Sequence, residues 1–93
     1  MRNLVVFGDS QYAERISKYI VIEGRDKLVA FTQEHSFISR KEINGVPVIP
    51  FEQLNHALMY DFEIVLGIGY TKMNTFKRKI FDLCKQKGYK IAN

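Results

Sequence analysis

Apolar residues arrive in two rhythms along this chain. Residues 3–7 form a compact run, Asn-Leu-Val-Val-Phe, that stops at Gly8, the pattern of a strand buried on both faces. Beyond the turn Gly8-Asp9-Ser10 the spacing changes. Tyr12, Ala13, Ile16, Tyr19 and Ile20 recur at helical intervals with Glu14, Arg15 and Lys18 opposite, and Ser10 stands where an N-cap is needed. Gly24 ends that helix, and residues 27–32, with Leu28, Val29, Ala30 and Phe31, predict a second strand. A β-α-β unit of this kind builds a parallel sheet with a right-handed crossover. Residues 33–44 are polar with apolar anchors at Phe37, Ile38 and Ile43, which predicts a surface loop packed down in places. Residues 45–50 carry Val46, Val48 and Ile49 but also Pro47 and Pro50, so they predict a short strand that is not central over its whole length. Pro50 suits a helix start, and Phe51, Leu54 and Leu58 predict a short amphipathic helix. Residues 64–67 then read as a buried strand closed by Gly69. A long helix opening near Thr71 follows, with Met73, Phe76, Ile80, Leu83 and Cys84 along one stripe and Gly88 as its stop. Residues 89–92 open a last strand. The order predicts an α/β domain: a small doubly wound, Rossmann-like, mainly parallel sheet with helices on both faces.

Size agrees with that pattern, since 93 residues enclose one core and residues 1–93 show no internal repeat or boundary. With 46% hydrophobic and 26% charged residues, disorder and fibrous classes are excluded. One cysteine, Cys84, makes neither an internal disulfide nor a zinc cluster. No apolar run approaches the roughly 20 residues of a membrane span, and Met1-Arg2 leads straight into a strand-sized run rather than a signal peptide. A cytoplasmic chain without a membrane partner is expected. Charge adds a local feature. The net charge is +4, but residues 72–90 hold seven basic residues (Lys72, Lys77, Arg78, Lys79, Lys85, Lys87, Lys90) against Asp82 alone, while the rest of the chain is slightly acidic. Such a concentration suits an anionic partner, or a solvated helix face.

Ligands of open parallel sheets bind beyond the carboxyl ends of the strands, which selects the turns at 8–11, 32–36 and 67–74. The first has lost the dinucleotide fingerprint: Gly8-Asp9-Ser10-Gln11-Tyr12-Ala13 keeps one glycine, and the acidic residue expected near the end of the second strand is replaced by Thr32 and Gln33, with Glu34 just beyond. A carboxylate at Asp9 also opposes phosphate at the helix start, so NAD is poorly supported. The third turn offers Gly67 and Gly69, then a helix start with Lys72, Asn74, Lys77 and Arg78 able to hold phosphate, and Tyr70 able to stack. Tight strand-to-helix packing explains the same glycines equally well. His35 and His56 read as solvated, Cys84 as core, and Asp61, Glu63 and Asp82 make no paired-carboxylate site. No nucleophile with a base emerges.

The segments Asn3-Leu4-Val5-Val6-Phe7-Gly8, Val29-Ala30-Phe31, Asn44-Gly45-Val46-Pro47-Val48-Ile49, Leu66-Gly67-Ile68-Gly69-Tyr70-Thr71-Lys72-Met73-Asn74 and Lys87-Gly88-Tyr89-Lys90-Ile91 together resemble the N-terminal domain of bacterial sugar acyltransferases, the sialic acid O-acetyltransferase-like enzymes and nucleotide-sugar N-acetyltransferases of surface-glycan synthesis. The resemblance implies a domain that binds a UDP- or dTDP-linked nucleotide sugar through Gly8, Asp9, Ser10, Thr32, Gln33, Gly69, Tyr70, Thr71, Lys72, Asn74, Lys77 and Arg78. It further implies the N-terminal part of a longer, trimeric parent whose hexapeptide β-helix takes acetyl-CoA and carries catalysis. The chain alone is then expected to be monomeric and to transfer no acyl group. Two alternatives stand beside it. One is a nucleic-acid binder, suggested by the basic segment with Tyr70, Phe76 and Tyr89, although Phe76 falls on the apolar stripe and no nucleic-acid motif is recognised, which makes nucleic acid the less expected partner. The other is a protein-interaction or regulatory module that has kept the fold and lost the ligand.

Overall fold

The computed structural model of the chain describes residues 1–67 and 74–92, with residues 74–76 described by backbone alone. The apolar run becomes strand β1 (Asn3–Phe7), the middle of a six-stranded sheet. Helix α1 (Gln11–Glu23) leads to β2 (Lys27–Gln33). A short strand β3 (Glu42–Ile43) turns back into β4 (Val46–Pro50). A single 3-10 turn and the one-turn helix α2 (Leu54–Ala57) precede β5 (Glu63–Leu66). Helix α3 (Asn74–Lys87) and β6 (Lys90–Ile91) complete the described chain. The strands lie in the order β3-β4-β2-β1-β5-β6, parallel except for the antiparallel β3-β4 pair. The chain winds outward from β1 in both directions, so this is the doubly wound, Rossmann-like α/β fold that the hydrophobic pattern predicts.

Strand alternation sorts the core into two layers. Val6 and Phe31 face α1, where Ala13, Ile16 and Ile20 meet them. Val5, Phe7, Ala30 and Ile64 face the other way, onto Phe51, Leu54, Ile80 and Cys84 of the segment around α2 and of α3. A four-residue helix has no stability of its own, and burial of Phe51 and Leu54 holds it in place. The Phe51 ring meets Phe7 edge-on at 5.4 Å between centroids and Tyr89 at 5.5 Å, which locks the segment onto both β1 and the link between α3 and β6.

Local signals set the boundaries. The Ser10 hydroxyl accepts from the Ala13 amide, and Gly24 ends α1 in a left-handed conformation. The segment 33–44 is less of a loop than its polarity suggests. Asn44 (φ 51°) and Gly45 (φ 81°) both take positive φ, and Ile43 pairs with Val46 across them. This is the two-residue hairpin turn for which Asn-Gly is the favoured dipeptide. Ile43 is buried as expected, whereas Phe37 is 63% exposed and anchors nothing. β4 lies inside the sheet, between β3 and β2. Pro47 is tolerated there because β3 is only two residues long and Val48 supplies the amide, donating to the Lys41 carbonyl at 2.8 Å. The expected helix start at Thr71 and the closing Gly69 lie outside the described residues.

At the amino ends of the strands Arg2 makes a fork, with Asp26 on one side (3.0 Å) and Glu63 on the other (3.2 Å). The Arg2 hydrogen bonds hold the Asp26 carboxyl below its ordinary range. The folded state therefore takes up this proton less readily than the unfolded chain. The stability so contributed is present at neutral pH and is lost as pH falls through the lowered value. Arg2→Ala is expected to flatten the acid-side decline of stability measured by urea titration at stepped pH; an unchanged decline would show that the fork contributes nothing.

Candidate functional site

The fold brings Gly8 and Gly67 together just beyond the carboxyl ends of β1 and β5. The Gly67 amide donates to the Phe7 carbonyl at 2.9 Å, and the Gly8 amide donates to the Thr32 carbonyl at 2.8 Å. Gly8 has a φ of +125°, and a Cβ on it would lie 2.8 Å from the Gly67 carbonyl oxygen. A Cβ on Gly67 would press on Val6 at 2.8 Å and on Ala13 at 3.0 Å. Both glycines are thus required by the packing of strand ends against each other and against α1, whatever binds nearby.

The first turn is occupied by the chain itself. The Asp9 carboxylate, 8% exposed, accepts from the Ser39 amide at 2.8 Å and from the Ser39 hydroxyl at 2.9 Å. Arg40 donates to the Asp9 carbonyl at 2.6 Å and pairs with Glu14 at 3.2 Å. A strap formed by residues 39 and 40 is therefore clasped over the start of α1, with a negative charge beneath it and Ser10 already capping the helix. The Asp9 carboxylate and the Ser10 cap oppose an anion at that helix end, and the Arg40 guanidinium is already engaged by the Asp9 carbonyl and Glu14. Asp9→Ala is expected to cost about 2 kcal/mol in urea unfolding, because it removes a charged acceptor and strands the Ser39 amide. Ser39→Ala should cost about half as much; equal and negligible losses would mean that the clasp is open in solution.

Of the other expected ligand residues, Thr32 is fully buried and its hydroxyl donates to the Ile49 carbonyl at 2.6 Å, which ties β2 to β4. Gln33 accepts from the Glu34 amide through its side-chain oxygen. Gly69, Tyr70, Thr71 and Lys72 lie outside the described residues, and Asn74 is placed by its backbone in the first turn of α3. Lys77 and Arg78 are neighbours on α3, and of the residues around them only Phe81 was not singled out in the sequence. Lys77 and Arg78 line a cavity of about 620 Å³ with Leu66, Phe81, Asp82 and Lys85. Arg78 and Lys85 are exposed on α3, with Phe81 between them at helical spacing, and the Lys85 ammonium lies 5.1 Å from the Phe81 ring centroid. The i, i+3, i+7 spacing of these three residues was the available signal.

Another cavity, of about 510 Å³, opens at the opposite, amino end of the sheet, and two pairs of its polar groups are engaged with one another. Arg2 holds Glu63 there, and the Asn3 side-chain Nδ2 donates to the Asp61 backbone carbonyl at 3.0 Å. Cys84 is fully buried beside Ile80, and burial pushes its thiol up to about 11. It is expected to resist a thiol reagent at pH 8 in the folded chain and to react on unfolding; rapid labelling of native protein would contradict this packing. His35 and His56 are exposed. Among the described residues, no group of three or more His, Cys, Asp or Glu side chains is placed to hold a metal, and no helix is long and apolar enough to cross a membrane.

No family model and no curated protein matches this chain. Its structure is similar to the crystal structure of RSP, a Rex-family repressor, with a TM-score of 0.66 and 15% sequence identity over 96% of this chain. The match takes in 42% of the repressor chain, so this sequence spans less than half of that protein's length. The likeness shows the fold. It also corrects the resemblance to sugar acetyltransferases, since the matched structure is a repressor and no family model supports a transferase. The nucleotide sugar as partner, and the setting aside of nucleic acid, fall with it. The physical reason lies in the residues that carried the resemblance: Asn44-Gly45 makes a hairpin turn, Gly8 and Gly67 make strand-end packing, and Gly88 ends α3. All are demands of the fold, shared by proteins with unrelated ligands. The acetyl-CoA and trimer expected of a longer parent rested on that resemblance alone.

Proposed function

We propose that the chain is a regulatory α/β module that has given up the small-ligand site at its first turn and engages nucleic acid through the exposed basic face of α3. One observation carries the reading. Arg78 and Lys85 are exposed on one side of α3, Lys79 and Lys87 are exposed elsewhere on it, and Asp82 is its only acid, while the rest of the chain is slightly acidic. A positive face on an otherwise acidic body orients the molecule toward a polyanion and raises its encounter rate. The clasped strap at Asp9 supports the other half of the reading, because the anion-binding helix end is filled from within. The repressor likeness suits a regulatory role, although it speaks for the fold alone.

Fluorescence anisotropy of a labelled DNA oligonucleotide titrated with the chain tests this function. Binding is expected with a Kd of about 10⁻⁴ to 10⁻⁶ M at physiological salt, the range of contacts made mainly to phosphates. A flat titration at low salt would remove the proposal.

A further inference from the structure

Resting on that reading, we infer that the nucleic acid taken by α3 is single-stranded and that Phe81 is the platform on which a base stacks. Phe81 is 36% exposed, a large aromatic ring left at the surface of a helix whose apolar stripe is otherwise turned inward through Ile80 and Cys84. Leu66, at the end of β5, adds an apolar wall beside the ring, and Lys77, Arg78 and Lys85 bring positive charge to the rim of the same cavity. It is a groove open to solvent, and its volume of about 620 Å³ leaves room for one nucleotide-sized group. A purely electrostatic duplex site needs cations in register with phosphates and gains nothing from a ring in a concavity, because the bases of a duplex are stacked on each other. A single strand can splay a base into the cavity while its phosphates meet the flanking cations. The Lys85 ammonium, 5.1 Å from the ring centroid, holds the ring face in the free chain and moves onto a phosphate as the base arrives. Asp82 is the opposing charge in the cavity, so Asp82→Asn should tighten binding.

The chain has no tryptophan, which makes a direct test available. In the Phe81→Trp variant, an oligo-dT single strand is expected to quench the indole fluorescence, and a duplex of equal length to leave it unchanged. Phe81→Leu keeps an apolar side chain but removes the π-face, and is expected to lose about tenfold or more in single-strand affinity with the salt slope unchanged. Circular dichroism of both variants checks the fold, and each reads the same contact by a different signal. Equal affinity for duplex and single strand, no quenching and no effect of Phe81→Leu would overturn this inference while leaving nucleic-acid binding in place. Failure of both oligonucleotides to bind the unaltered chain would overturn both.

Discussion

Gly8→Ala is expected to destabilise the chain by about 3 kcal/mol or more, read as a lowered urea midpoint with an unchanged slope. Two costs add at this position. A φ of +125° is essentially closed to residues with a Cβ, and holding one there costs about 1–3 kcal/mol. The new Cβ would also sit 2.8 Å from the Gly67 carbonyl oxygen, a backbone atom fixed by the β1-β5 pairing. Neither strand can retreat, since β1 is hydrogen-bonded on both sides. Gly45→Ala provides the comparison, because it too has positive φ (+81°) but nothing within 4 Å of the added atom. It should cost only the left-handed penalty of about 1–2 kcal/mol. Equal losses at the two positions would show that the strand ends are not packed as described.

The paired charge reversal Arg78→Glu with Lys85→Glu is expected to weaken nucleic-acid binding about a hundredfold or more at low salt. A phosphate about 4 Å from a cation in water gains about 1 kcal/mol, and reversal turns that gain into an equal repulsion. Two reversals approach about 4 kcal/mol before screening by salt reduces them. Both side chains are exposed and away from Ile80 and Cys84, so stability should change by only about 0.5 kcal/mol, apart from a few tenths lost where Lys85 faces the helix C-terminus. Lost binding in a folded double variant assigns the surface; retained binding moves it elsewhere.

The frame of this fold is local, and its sequence shows it. Residues 3–7 announce a buried strand by composition, α1 is bracketed by Ser10 and Gly24, and the inward stripe of α3 was visible through Ile80 and Cys84. What escaped is long-range. Asp9 meets Ser39 across 30 residues and Arg2 meets Glu63 across 61, and no spacing rule connects such pairs. The β3-β4 hairpin was written in Asn44-Gly45, but its two-residue strand sits in a polar stretch too short to show alternation. Function was hardest to read because glycine has two meanings at a strand end. At Gly8 and Gly67 it permits strands to meet, and the same letter would serve a phosphate. The positive charge of α3 was legible in the sequence, but the aromatic between Arg78 and Lys85 gained significance only when Leu66 and the cavity were placed beside it.

The most direct measurement is the affinity of the unaltered chain for a single-stranded oligonucleotide across a series of salt concentrations. If three phosphates meet the α3 cations, log K should fall against log salt with a slope of about −2, and the Arg78→Glu, Lys85→Glu variant should lose most of that slope. An affinity that does not respond to salt, or a slope identical in the variant, would contradict the assignment of the α3 face to nucleic acid.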